Sequence, residues 1–243
     1  KITTFVEAPP GSGLGSSSAL VVALISAIAE YYSIPLGEYD VAEYAVEIER
    51  NICNLPGGKQ DQFAAAFGGF NFIEFLPDGR TIVNPLRLNP KTQNMLELST
   101  VLYYVGKPRM DERVIENTSQ NLLNNDEATL QATHRIKSAA IEYKRSLLLG
   151  DVDKICETMN TYWKNKIQTN EKVVSPELLD SYEFALQNGA KAAKISGAGG
   201  GGHMILFTDF ERRHQLISAL KKRKKGRVVP FKFVKHGVDV WRP

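Results

Sequence analysis

At 243 residues the chain has room for one large domain or two modest ones with a sizeable core. Hydrophobic residues at 43%, charged residues at 23% and a net charge of +3 are ordinary for a globular protein, and that charge by itself requires neither a nucleic-acid nor a membrane partner. No apolar run reaches the ~18 residues a membrane helix needs, and the two cysteines, Cys53 and Cys156, stand too far apart for a metal-ligand spacing, so reduced thiols in a cytoplasmic protein are expected.

In chain order, Lys1 to Glu7 alternates weakly and is expected to be a strand. A Gly/Ser loop follows, and Ser18 to Tyr32 is apolar nearly all round, the pattern of a buried helix. Pro35 and Gly37 end it. Val41 to Ile52 carries Val41, Ala42, Ala45, Ile48 and Ile52 on one helical stripe, and Pro56, Gly57 and Gly58 make the following "NLPGGKQDQ" a loop. A short helical turn then leads into a hairpin about "PDG" at 77–79, and "STVLYYVG" is a buried strand.

From Glu112 to Glu171 the pattern is helical, with Gly150 and Asp151 separating two helices. "SPELLDSYEFALQNG" has Ser175 as N-cap, Pro176 in the first turn and Gly189 past the end. "KAAKISGAGGGGHMILF" reads as strand, glycine loop, strand; Glu211 to Lys225 as a basic-ended helix; "RVVPFKFV" and "GVDVWRP" as closing strands. The first part is strand-rich and the rest helix-rich, an α+β chain of two halves, 1–108 and 109–243.

Three stretches carry chemistry. In "PPGSGLGSSSAL", Gly11, Gly13 and Gly15 allow close approach of backbone to an anion at a helix N-terminus, and Ser16, Ser17 and Ser18 add hydroxyls for phosphate or magnesium. A Walker A loop would end in Gly-Lys-Ser/Thr, and the dinucleotide fingerprint would have glycine where Ser16 stands. Glu49 and Asp61 flank the Pro-Gly-Gly break, which lets both acids approach the serine loop. Phosphoryl transfer needs a metal ligand and a group that orients or deprotonates the acceptor hydroxyl. Lys59, two residues before Asp61, would keep that acid ionised and could reach a phosphate. "SGAGGGG" at 196–202 satisfies Gly-x-Gly-x-x-Gly, but a strand follows rather than a helix, so close approach of backbone to a ligand is the expectation, not dinucleotide binding.

Taken together and in this order, the phosphate-type loop, the acidic pair and "KISGAGGGGHMILF" resemble the GHMP kinase superfamily. With "GGKQDQFAAAFGGFNFIEF", "LYYVGKPR" and "HRIKSAAIEYKRSLLLGD" the chain is similar to the branch that phosphorylates heptose 7-phosphate at its anomeric hydroxyl. The resemblance implies an α+β two-domain fold, with a ribosomal protein S5 domain 2-like N-terminal half and a ferredoxin-like C-terminal half, and ATP and Mg2+ as cofactors. It implies that Pro10, Gly11, Ser12, Gly13, Leu14, Gly15, Ser16, Ser17 and Ser18 wrap the ATP phosphates, that Ser17 and Glu49 hold magnesium, and that Asp61 is the catalytic base or fixes the acceptor hydroxyl. Ser196, Gly197, Ala198, Gly199, Gly200 and Gly201 would shape the pocket near the transferred phosphate.

Lys59, Lys107 and Arg109 are candidates for the sugar's own phosphate, with Lys137, Lys164 and Lys166 behind them. The implied partner is a small-molecule sugar phosphate, with no nucleic acid and no membrane; a homodimer stays open. The family's first motif has no match in this chain, which is read as beginning inside the first domain with its N-terminal half incomplete. A non-catalytic sensor and a kinase of fucose or another sugar are the alternatives. His203 is expected as a hydrogen-bonded strand residue, Trp163 and Trp241 as packing residues, and Lys221 to Arg227 as a solvated helix end.

Overall fold

The computed structural model describes residues 1–8, 12–106, 112–169, 174–197, 201–223 and 225–242, the side chains of 112–116 excepted. The chain divides into two compact units, one of residues 1–10, 15–87 and 233–243, the other of 11–14 and 88–232.

The first unit holds α1 (Ser16–Tyr32), α2 (Glu38–Val46), a π-helical turn over Glu47–Ile52, α3 (Gln60–Phe67) and the antiparallel hairpin β1 (Asn71–Phe75) and β2 (Thr81–Pro85). Val22, Val41, Ala42, Ala45, Phe63, Ala66 and Val83 form its core. The C-terminal segment returns to this unit. A Cβ on Gly237 would overlap the Ala66 carbonyl, so the backbones meet where only glycine fits. Arg242 pairs with Glu30 at 2.9 Å and binds the Ser33 hydroxyl at 2.8 Å.

The second unit holds α4 (Pro90–Ser99), β3 (Thr100–Gly106), α5 (Glu112–Leu123), α6 (Glu127–Leu149), α7 (Val152–Thr169), α8 (Pro176–Gln187), β4 (Ala190–Ile195), β5 (Gly202–Thr208), a 3-10 turn over Phe210–Arg212, α9 (Arg213–Lys222) and β6 (Arg227–Val229). Its sheet is antiparallel in the order β4-β5-β3-β6. Tyr103, Ile195, Met204 and Leu206 from the strands pack with Trp163 of α7, Leu178 of α8 and Leu216 and Leu220 of α9. The Ser175 hydroxyl caps α8 through the Leu178 N–H, and Gly150 ends α6 in the left-handed conformation.

The α+β expectation holds, and several local expectations are corrected. Lys1–Val6 and residues 230–242 run without regular structure, because alternation supplies a strand face but not a ladder partner. α1 buries one stripe, Ser18, Val22, Ser26 and Ala29, and leaves Ile28, Tyr31 and Tyr32 exposed. The long helical run breaks at Asn124–Asp126 as well as at Gly150, with the Asp126 carboxylate capping α6. The π turn, marked by the Cys53 N–H to Ile48 carbonyl bond, widens the helix; Glu49 turns inward and Ile52 outward, the reverse of the expected stripe. Trp163 is core, whereas Trp241 is 80% exposed.

Candidate active site

In the first unit the site is built at the start of α1. Gly15 is left-handed, with φ 68°, and no side chain caps the helix, so the first amides are not claimed by a side-chain acceptor. The Ser17 hydroxyl, in the first turn, donates to Glu49 Oε1 at 3.1 Å. Glu49 is 3% exposed; the π turn puts it there, and Gln62 of α3 donates its amide to the other carboxylate oxygen. Two donors thus satisfy a carboxylate that burial would otherwise penalise. Gln62 is fully buried and its Oε1 has no partner among the described residues.

Asp61 stands on the first turn of α3, a regular helix rather than a loop. A Cβ on Gly15 would lie 3.1 Å from both Cβ and Cγ of Asp61, so the acid lies against the phosphate-type turn. Burial raises its pKa above the usual carboxylate range, and the Glu49 charge adds to the rise; a Gln60 hydrogen bond and the Arg50 guanidinium oppose it. The opposing cation is therefore Arg50, not Lys59, which lies exposed at the N-cap position of α3. Arg50 also ties down the Pro-Gly-Gly loop, donating to the Gly58 carbonyl at 3.0 Å and the Leu55 carbonyl at 3.2 Å.

In the second unit Gly13 rests on Ser196, at the start of the other glycine loop, and Ser12 on His203, just past its end. Ser12 is 1% exposed, and its carbonyl accepts from the His203 N–H at 3.1 Å and from His203 Nδ1 at 2.8 Å. The Ser196 hydroxyl donates to the Gly13 carbonyl at 2.8 Å. A Cβ on Gly13 would come within 2.7 Å of the Ser196 carbonyl oxygen. Gly201 and Gly202, both at positive φ, are buried where β5 begins. His203 is a hydrogen-bonded strand residue as expected, but its bond anchors the phosphate-type loop.

Pro10, Gly11, Ala198, Gly199, Gly200, Lys107 and Arg109 lie outside the described residues. Lys137 and Lys164 are exposed on α6 and α7, and Lys166 is half-buried. Sequence reasoning missed Gln62 and Arg50. Each is one polar residue in a segment read for its neighbours, and only Gln62's place beside Asp61 could have drawn notice.

Among the described residues no group of three or more His, Cys, Asp or Glu could hold a metal by itself. The Ser17 hydroxyl, the Glu49 carboxylate and the unpartnered Gln62 carbonyl are hard oxygen donors, suited to a cation such as Mg2+ that shares its shell with phosphate oxygens and water.

Residues 1–69 match the GHMP kinases N terminal domain, and residues 143–226 match the GHMP kinases C terminal family. The chain is 44% identical over 239 residues to D-glycero-alpha-D-manno-heptose 7-phosphate kinase of Campylobacter jejuni, covering 98% of this chain and 70% of that one. A solved D-glycero-D-manno-heptose 1-phosphate kinase from Bacteroides thetaiotaomicron matches with a TM-score of 0.77 at 36% identity, over 99% of this chain and 68% of that one. A solved putative sugar kinase from Campylobacter jejuni matches with a TM-score of 0.75 at 41% identity, over 97% of this chain and 65% of that one.

Proposed function

The chain belongs to the GHMP kinase family, and from that premise we propose that it transfers the γ-phosphate of ATP to a hydroxyl of a sugar phosphate. The proposed acceptor is D-glycero-D-manno-heptose 7-phosphate, and the proposed site of transfer is its anomeric hydroxyl. Kinship to heptose phosphate kinases at 44% and 36% identity supports this acceptor over a fucose-like sugar.

One observation carries the reading. Gly15 touches Asp61, and Ser17, two residues on, is bonded to Glu49. A helix N-terminus for phosphate, an oxygen pair for a metal and a carboxylate of raised pKa are thereby gathered at one turn. Phosphoryl transfer asks little covalent chemistry of a protein; positioning and charge neutralisation do most of it. In the proposed mechanism the first amides of α1 and the serine hydroxyls hold the ATP phosphates. Ser17 and Glu49 would hold Mg2+, which when bound offsets the negative charge of the phosphates. Gln62 keeps the Glu49 carboxylate oriented. Asp61 accepts the proton of the acceptor hydroxyl, or holds that hydroxyl in line, and the burial that raises its pKa makes it a stronger base than an exposed carboxylate. Ser196 and His203 fix Gly13 and Ser12 at the entry to the phosphate turn.

No helix among the described residues is long and apolar enough to cross a membrane. The proposed reaction consumes ATP, which fits a cytoplasmic setting. Two-dimensional 1H–31P NMR of the product tests the proposal: phosphorus coupled to the anomeric proton is the expected result. A product phosphorylated at another carbon would overturn the assigned regiochemistry.

A further inference from the structure

Lys166 and Lys194 are two half-buried lysines in the second unit. Tyr162 and Lys166 lie four residues apart on α7 and so share a helix face. The Lys194 Nζ, from β4, sits 4.7 Å from the centroid of the Tyr162 ring. Among the described residues neither lysine makes an ion pair, whereas Lys154 pairs with Glu157, and Lys191 with both Asp153 and Asp209. Burial lowers the pKa of both lysines, and the Lys166 charge lowers that of Lys194 further, so the two ammonium groups feel one another.

Lys194 stands two residues before Ser196, where the second glycine loop begins. The Ser196 N–H bonds the His203 carbonyl at 2.8 Å and continues the β4–β5 ladder past Ile195. Residues two apart on a strand project to the same side. Lys194 therefore shares a side with Ser196, whose hydroxyl holds the Gly13 carbonyl. Two like charges that burial strips of water repel each other unless an anion lies between them. An ammonium, unlike a guanidinium, serves as a point charge for a compact oxyanion.

We infer that Lys166 and Lys194 form a binding site for a phosphate monoester group, walled on one side by Tyr162. The inference rests on the kinase reading for its two sources of phosphate: the phosphate already carried by the acceptor sugar, and the nucleotide. It moves the acceptor-phosphate role away from Lys59, which lies exposed in the first unit.

Steady-state kinetics of the full-length protein, with Lys166→Met and Lys194→Met variants, separates the sources. Loss of one cation from a phosphate contact is expected to raise one KM about tenfold. If the KM for heptose 7-phosphate rises and that for ATP does not, the site takes the acceptor's phosphate; the reverse assigns it to the nucleotide. Lys194→Arg, which keeps the charge, should restore part of the loss. Folded variants with both KM values unchanged would overturn the site.

Should the variants fail to fold, acetylation of wild-type lysines read by mass spectrometry decides. Inorganic phosphate should slow labelling of Lys166 and Lys194 and leave the exposed Lys164 unaffected; equal labelling with and without phosphate would overturn the inference. Wild-type protein that ignores heptose 7-phosphate would end the acceptor reading, while the labelling result would still judge the anion site.

Discussion

Gly197 packs its backbone on Gly13: a Cβ added to Gly197 would lie 3.1 Å from the Gly13 Cα and 3.2 Å from its carbonyl oxygen. Both glycines have positive φ, 72° at Gly13 and 76° at Gly197. The two glycine-rich stretches, separated by most of the sequence, form one interlocked backbone contact, and each constrains the conformation of the other.

Gly197→Ala should therefore cost roughly 1–2 kcal/mol for the left-handed conformation alone, plus the displacement of Gly13. The expected result is a lowered melting temperature and a KM for ATP raised about tenfold. An unchanged KM in a folded variant would detach this contact from nucleotide binding.

Asp61→Asn should lower kcat by about 10²–10⁴-fold while the Kd for ATP stays within a small factor. Equal losses in both would remove Asp61 from its assigned role. The same variant carries a stability signature. Because the folded-state pKa of Asp61 is raised, its contribution to stability is present in full below the unfolded pKa and is lost as pH rises through the folded pKa. Asn cannot ionise, so Asp61→Asn should melt higher than wild type at neutral pH. The gap should close as pH falls below the ordinary carboxylate range.

Ser17→Ala and Gln62→Leu both reach Glu49. The first should weaken ATP binding more in the presence of Mg2+ than in its absence. The second leaves a buried carboxylate oxygen without its donor, a cost of about 1–3 kcal/mol. It should raise the Mg2+ concentration needed for half-maximal turnover. Calorimetric titration of ATP with and without the metal checks both.

The two thiols should behave differently. Cys53 is exposed, whereas Cys156 is buried in α7, and burial pushes its pKa up to about 11. A thiol reagent at neutral pH should modify Cys53 promptly and Cys156 only after unfolding. Equal rates in the native protein would show that α7 opens readily.

Much of this was legible in the sequence because it rests on local chemistry. Ser175 and Pro176 announce α8, the Pro77–Gly79 turn announces the hairpin, and the two glycine loops announce close backbone approach. What stayed hidden depends on partners distant in sequence or on a change of helical period. The π turn at Glu47–Ile52 leaves no mark on a 3.6-residue pattern, yet it turns Glu49 inward. Gln62 looks like any polar residue in an alanine-rich helix until Glu49 is seen beside it. His203 showed only that it was a strand residue; its hold on the Ser12 carbonyl spans 191 positions. The alternation of Lys1 to Glu7 suggested a strand, but a strand is defined by its neighbour, and alternation does not supply one.

The most direct test is ATP consumption by the full-length protein with Mg2+, comparing D-glycero-D-manno-heptose 7-phosphate with the unphosphorylated heptose, fucose, galactose and mevalonate. The account predicts turnover with the 7-phosphate, and a kcat/KM lower by about tenfold or more for the heptose that lacks the phosphate. ATP binding with no turnover on the 7-phosphate, or equal turnover with the unphosphorylated sugars, would contradict it.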